Sequence, residues 1–303
     1  MRNRAGPAIK VHFVAPPPPL RPYVTALYRT EVTCPPGAAW VEDWLHPEWA
    51  NLRFLGAAHA EAGFGTGVME PSPAFAVTGP TSRAIRVRLG PGQNWGIGLL
   101  PLGWARLIGA PADAYADRIV DAKADPVFAP WLPLAAALAA SDGEPEREAA
   151  LISAHLARLL AEAAPIDPAQ ETAIGALNAA LVDPEVASVA DLALRLGMTV
   201  RSLERLSYRA FGFAPKLLIR RQRFLRSLAR VMLDPALTWL GALDSRYHDQ
   251  PHFVRDFRRF MGMSPSAYAR ADKPLLRAAA QARVAALGEA VQALHAPGGA
   301  EPG

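Results

Sequence analysis

Cysteine is nearly absent from this 303-residue sequence, with Cys34 the only one. One thiol can form neither an intrachain disulfide nor a multi-thiolate zinc site, so a disulfide-stapled secreted scaffold and a zinc ribbon are both excluded. Long apolar runs are lacking too. The longest, residues 132–140, falls far short of the roughly 20 residues a membrane helix needs. The basic N-terminus leads into residues 11–15 and then four prolines, not into the apolar core of a signal peptide. The expectation is a cytoplasmic chain with no membrane partner. Catalytic signatures are missing as well: there is no G-x-S-x-G and no P-loop, and Gly96-Ile97-Gly98 has no third glycine at the dinucleotide spacing. No enzyme and no cofactor are therefore expected.

What is present is an apolar content of 51%, enough to fill the core of one large domain or two ordinary ones. The net charge of +4 is unevenly spread. Between residues 188 and 270 stand fourteen arginines and Lys216 against six acids, a segment of +9 that leaves the remainder at −5. An arginine-dense stretch of this length suggests a polyanionic partner, with nucleic acid the favoured one and solvated basic helices the alternative.

The first half reads as strands punctuated by proline and glycine. Residues 83–90 alternate strictly, Ile85, Val87 and Leu89 on one face and Arg86 and Arg88 on the other, as in a half-buried strand. Short apolar runs at 9–14, 24–32, 52–55, 75–78 and 95–100 extend the pattern to a β-rich region ending near residue 121. Ala- and Leu-rich helices are expected over 126–140 and 145–163, and the break at 165–168 divides the chain. The expected organisation is a sensing or dimerisation domain over 1–165, a helical domain over 170–273, and a helical tail over 274–303 whose last eight residues fray. The fold class is α+β: a β-rich N-terminal domain with appended helices, then an all-α domain.

Within the helical half, Val189, Leu192, Ala193 and Leu196 follow helical spacing and Gly197 stops the run. Thr199 is placed to cap the next helix, in which Leu203, Leu206 and Ala210 face inward while Arg201, Arg205 and Arg209 form an outer stripe. A short helix, a glycine turn and a basic helix make a helix-turn-helix pattern. It occurs twice. Residues 237–245 form the second short helix, residues 246–248 the turn, and 249–261 the second basic helix, with Phe253, Phe257 and Phe260 inward and Arg255, Arg258 and Arg259 elsewhere. Gly212-Phe213-Ala214-Pro215 is matched by Gly262-Met263-Ser264-Pro265, so each basic helix ends at glycine and proline opens the next. Between the units, residues 216–233 form a long helix whose apolar face holds Leu217, Leu218, Phe224, Leu225, Leu228, Val231 and Met232.

These phrases, with Leu203-Glu204-Arg205 and the run from Tyr247 to Tyr268, resemble the paired helix-turn-helix domain of AraC/XylS-type transcription regulators over residues 188–270. Asp43-Trp44-Leu45-His46-Pro47-Glu48 and Val77-Thr78-Gly79-Pro80-Thr81 more weakly resemble the preceding domain of one subgroup. The resemblance implies a DNA-binding regulator or activator, a partner in RNA polymerase, a homodimer, and a small-molecule effector on the N-terminal domain. One departure is Arg246, where the family usually has glycine; a left-handed backbone there would cost about 1 kcal/mol or more.

The resemblance puts Arg201 and Arg205 in the first helix and Gln250 and Arg255 in the second at base-facing positions, with Ser202, Asp249 and His252 as neighbours that could join them, and Arg209 and Arg259 are expected on phosphate. Arginine can fork onto guanine O6 and N7 or simply hold phosphate, and for any one arginine the two readings are equally open. His248 and His252 superficially suggest a zinc helix, but Pro251 lies between them, Asp249 stands where glutamate is needed, and arginines would surround the dication, so no metal is expected. In the N-terminal half, Trp44, His46 and Arg53 are candidates for an effector pocket, with core packing the alternative. The rival reading of the whole chain is an enzyme or small-molecule binder that its helical half merely tethers to DNA.

Overall fold

The computed structural model describes residues 7–35, 39–56, 58–233, 237, 241–244, 247 and 249–295. Residues 238–240 and 245 of the expected short helix at 237–245, Arg246 and His248 of the expected turn, and the end expected to fray at 296–303 lie outside them, and the described residues 237 and 241–244 are bend, turn and irregular backbone.

Among the described residues ten strands form two antiparallel sheets. One has the order β1 (Ala8–Val14), β2 (Val24–Thr33), β9 (Gly92–Leu99), β4 (Asn51–Phe54), β7 (Phe75–Thr78) and β10 (Ile119–Asp121); the other runs β3 (Val41–Leu45), β8 (Ile85–Leu89), β5 (Ala60–Phe64) and β6 (Glu70–Pro71). The alternation of β8 is realised by its register. Ile85 and Val87 are buried, while Arg88 lies directly across from Glu42 on one side and Glu61 on the other, bonding Glu42 at 3.0 Å and Glu61 at 3.3 Å. Ile85, Val87 and Leu89 of one sheet share an apolar cluster with Ile9, Val11 and Ile119 of the other, so the inner faces of the sheets are packed together.

Helices cover the far side of the larger sheet. A short turn α1 (Pro101–Gly103) leads to α2 (Leu132–Ala139) and α3 (Pro145–Glu162), whose Ile152 and Leu156 pack with Leu27, Ile97 and Trp131. The remaining helices are α4 (Pro168–Val182), α5 (Val189–Arg195), α6 (Val200–Phe211), α7 (Pro215–Leu233), α8 (Gln250–Met261), α9 (Pro265–Arg270) and α10 (Pro274–Leu287).

Two placements go beyond the pattern read from the sequence. First, α7 is buried on more than one face: besides Leu218, Phe224, Leu225 and Leu228 it buries Ile219, Arg221, Gln222 and Ser227. Arg221 stacks over the Trp49 ring at 4.0 Å and donates to the Thr81 carbonyl at 2.9 Å, fixing α7 to the β region. Second, α10 does not trail away from the helical half. It packs against β1 and β3, and Leu275 joins the cluster between the sheets. Its first turn has no cap from its own chain neighbours. Asp43 of β3 supplies one, accepting from the Leu276 N–H at 2.8 Å.

Candidate nucleic-acid interface

The first unit is assembled by local caps. The Ser188 hydroxyl accepts from the Asp191 N–H at 3.1 Å to start α5, and Gly197 at φ 63° turns the chain. Thr199 then accepts from the Ser202 N–H at 3.1 Å to start α6. Leu203, Leu206 and Ala210 are buried, and Gly212, left-handed at φ 81°, ends the helix. This burial leaves Arg201, Arg205 and Arg209 exposed on the outer face of α6, with Ser202 half-buried at its start. Tyr208 also stands on that face, 46% exposed. Composition did not single it out, although it lies three residues from Arg205 and off the Leu203–Leu206–Ala210 stripe.

The second basic helix repeats the construction. Asp249 is the N-cap of α8 and its carboxylate accepts from the His252 N–H at 2.7 Å, while Gly262 at φ 72° closes the other end. Phe253, Phe257 and Phe260 pack on Phe224 of α7, with ring centroids 5.1 to 6.5 Å apart. Gln250, Arg255, Arg258 and Arg259 face solvent. His252 is half-buried, its ring set edge-on to Tyr247 at 5.2 Å.

Not every arginine of the basic segment is available to an external anion. Arg195 pairs with Asp183 at 2.7 Å and Asp191 at 2.9 Å, and Arg226 pairs with Asp244 at 2.6 Å. Asp256, fully buried on α8, is bonded by Arg220 from α7 and accepts from the Tyr247 hydroxyl at 3.2 Å. That network joins the connecting helix to the second basic helix, and composition alone gave no sign of it. With Arg221 buried too, most of the exposed arginines of the segment stand on α6 and α8. Among the described residues Arg201, Arg205, Arg209, Arg255, Arg258 and Arg259 form no ion pair with an acid.

In the N-terminal half the three candidate effector residues separate. Arg53 and His46 border a cavity of about 160 Å³ between the two sheets. Arg53 ion-pairs with Glu48 and donates to the Thr78 hydroxyl at 2.7 Å. His46 lies 2.9 Å from the Tyr268 hydroxyl of α9, and burial, aided by Lys273, pushes its pKa down to about 3, so the ring is neutral at pH 7. Trp44 does not border the cavity; half-buried, it packs against the helical core.

Comparison with known proteins places a helix-turn-helix domain model on residues 192–271, which takes in α6, α7 and α8. No curated protein matches the chain in sequence. Among solved structures, ToxT from Vibrio cholerae O395 is 11% identical, with 87% of this chain and 97% of that one covered at a TM-score of 0.42. The AraC-like transcriptional activator CuxR is 12% identical, with 73% and 87% covered at a TM-score of 0.26. Residues 192–271 are similar to a helix-turn-helix domain, a unit that binds DNA through its second helix.

Proposed function

We propose that α6 and α8 enter neighbouring major grooves of duplex DNA, with Arg201, Arg205, Gln250 and Arg255 at base edges and Arg209 and Arg259 on phosphate. The observation that carries this reading is the repetition. Two helices with buried apolar stripes, capped at one end by Thr199 or Asp249 and stopped at the other by a left-handed glycine, each present arginines outward. Between them α7 has 19 residues, about 28 Å at 1.5 Å per residue, on the order of the roughly 34 Å between successive groove faces once the width of the attached units is added. Asp249 acts from the cap, holding the helix end that faces DNA, and Ser202 and His252 flank the contacts. The N-terminal domain over 1–165 senses a small molecule and pairs two copies. RNA polymerase is the partner of the bound regulator in the cytoplasm.

Gel-shift titrations of the full chain against salt test the reading. With six exposed arginines on the two helices, log affinity is expected to fall with log salt at a slope of about −5, near 0.9 per phosphate neutralised. Binding that ignores salt would overturn it.

A further inference from the structure

We propose that residues 80–84 strap the ends of α6 and α8 together, and that Arg83, the exposed residue of the strap, holds a phosphate of the DNA backbone that runs between the two grooves. The inference rests on the reading of α6 and α8 as groove-entering helices. It adds a DNA contact from the β region, outside the helix-turn-helix match at 192–271.

Both basic helices end against one short stretch of chain that precedes β8. A Cβ on Gly212, at the end of α6, would lie 3.3 Å from the Pro80 ring and 3.2 Å from the Ala112 carbonyl oxygen. At the end of α8 the Phe260 carbonyl, one of the acceptors that a helix leaves unpaired in its last turn, takes the Ala84 N–H at 2.6 Å. The turn after β5 backs this contact. A Cβ on Gly262 would lie 3.2 Å from the Gly65 Cα, and the Gly65 N–H donates to the Ala84 carbonyl at 2.9 Å. Between the two ends, the Thr81 carbonyl accepts from Arg221 of α7. Five residues thus touch α6, α7 and α8 in turn, and fully extended they reach about 18 Å at most, so Arg83 stands between the two helix ends.

Arg83 differs from its neighbours in the strap. Pro80, Thr81, Ser82 and Ala84 are buried, whereas the Arg83 side chain is 53% exposed. Its Nε is 3.8 Å from Asp117, beyond hydrogen-bond length, and that carboxylate already accepts the Ser82 N–H at 2.7 Å and the Ser82 hydroxyl at 2.6 Å. The guanidinium lies over the Phe64 ring, 5.4 Å from its centroid. A guanidinium held over a ring keeps its N–H donors at the rim of its plane, where they match the oxygens of a phosphate.

The position decides what this cation meets. A recognition helix that leaves the major groove at its C-terminal end meets the sugar–phosphate backbone there, and Arg259, the residue before Phe260, is already assigned to phosphate. Between neighbouring major-groove faces runs the backbone that borders the minor groove. A cation between the two helix ends therefore faces phosphates, not base edges, and adds affinity without sequence preference.

Anisotropy titrations across salt and ethylation interference, both on the full chain, test this with a duplex carrying the site selected by the wild type and with an unrelated duplex. Arg83→Gln keeps a stem over Phe64 and loses the charge. It is expected to bind both duplexes roughly three- to tenfold more weakly, to make the slope of log affinity against log salt shallower by about 0.9, and to leave the melting temperature unchanged, because a half-exposed ion pair contributes little. Arg83→Lys should keep the wild-type slope, and so should Arg88→Gln, whose arginine is paired with Glu42 and Glu61. Ethylation of phosphates between the two protected groove segments should interfere with the wild type and not with Arg83→Gln. Should Arg83→Gln not fold, the wild-type interference at those phosphates and the Lys variant decide. An equal slope and interference pattern in Arg83→Gln, or an equal loss in Arg88→Gln, would overturn the contact and leave α6 and α8 as the DNA helices. A wild-type chain that binds neither duplex would overturn that reading as well.

Discussion

Arg205 and Arg220 are indistinguishable in composition, yet one faces solvent on α6 and the other bonds the buried carboxylate of Asp256. The segment total of +9 counted both. What separates them is which acids the fold brings near, and Asp256 lies 36 positions from Arg220. Removing that acid should therefore be expensive. Asp256→Ala leaves Arg220 and the Tyr247 hydroxyl without their acceptor and is expected to cost about 3 kcal/mol or more, read by chemical denaturation of the full chain. The exposed arginines carry the opposite expectation, full stability with altered binding. Arg201→Ala, Arg205→Ala or Gln250→Ala should each cost about 1 to 3 kcal/mol and change the selected DNA site, whereas Arg209→Ala and Arg259→Ala weaken all sequences alike. Site selection that returns one motif for every variant would refute the assignment of base readers.

Elements were legible where local chemistry decides them. Thr199, Gly212 and Gly262 mark helix ends because a side-chain acceptor or a left-handed backbone is needed at that spot whatever surrounds it. The strands β1, β2, β4, β7, β8 and β9 follow from apolar runs. By contrast β5, Ala60-Glu61-Ala62-Gly63-Phe64, has little intrinsic strand preference and is a strand because it pairs with β8. Gly63 is needed there: a Cβ on it would sit 2.3 Å from the Val68 carbonyl oxygen. The connecting helix permits a test at this scale. Leu225 is fully buried in the middle of α7, and Leu225→Pro removes a helix hydrogen bond and adds a ring clash, worth about 3 kcal/mol or more. Footprinting of the wild type should show two protected groove segments about one helical turn apart, and the variant should lose this spacing. A single protected segment in the wild type would mean that only one unit docks.

At the scale of the molecule the helical half and the β region share one core. Trp49, Ala84 and Leu100 belong to the same apolar cluster as Leu203, Phe224 and Phe257, and Trp49 meets Phe211 edge-on at 5.5 Å. His46 sits in this contact, opposite Tyr268 and near Lys273, and its neutral ring makes the assembly acid-sensitive. The unfolded chain binds a proton at His46 below about pH 6.5, whereas the folded chain takes none until about pH 3, so stability falls as pH drops through that window by up to about 1.4 kcal/mol per unit. Asp43, raised by burial to about 6, works the other way between roughly pH 4 and 6, so the comparison is made between proteins. Between pH 6 and 5 the wild type should lose about 1 kcal/mol more than His46→Gln; parallel stability curves would contradict a buried neutral histidine.

The sequence by itself determined the elements that local chemistry sets: alternation in β8, basic helices ended by glycine at α6 and α8, and a long helix between them, all set by interactions within a few residues. Only the tertiary structure decided which charges are internal and where the chain's last helix goes. Asp43 caps α10 across 233 positions, and Gln292 reaches Asn51 at 3.3 Å beside Gly98, where a Cβ would lie 2.4 Å from its amide nitrogen. Such partners leave no local pattern, because burial and pairing across such separations follow from how the sheets and helices pack.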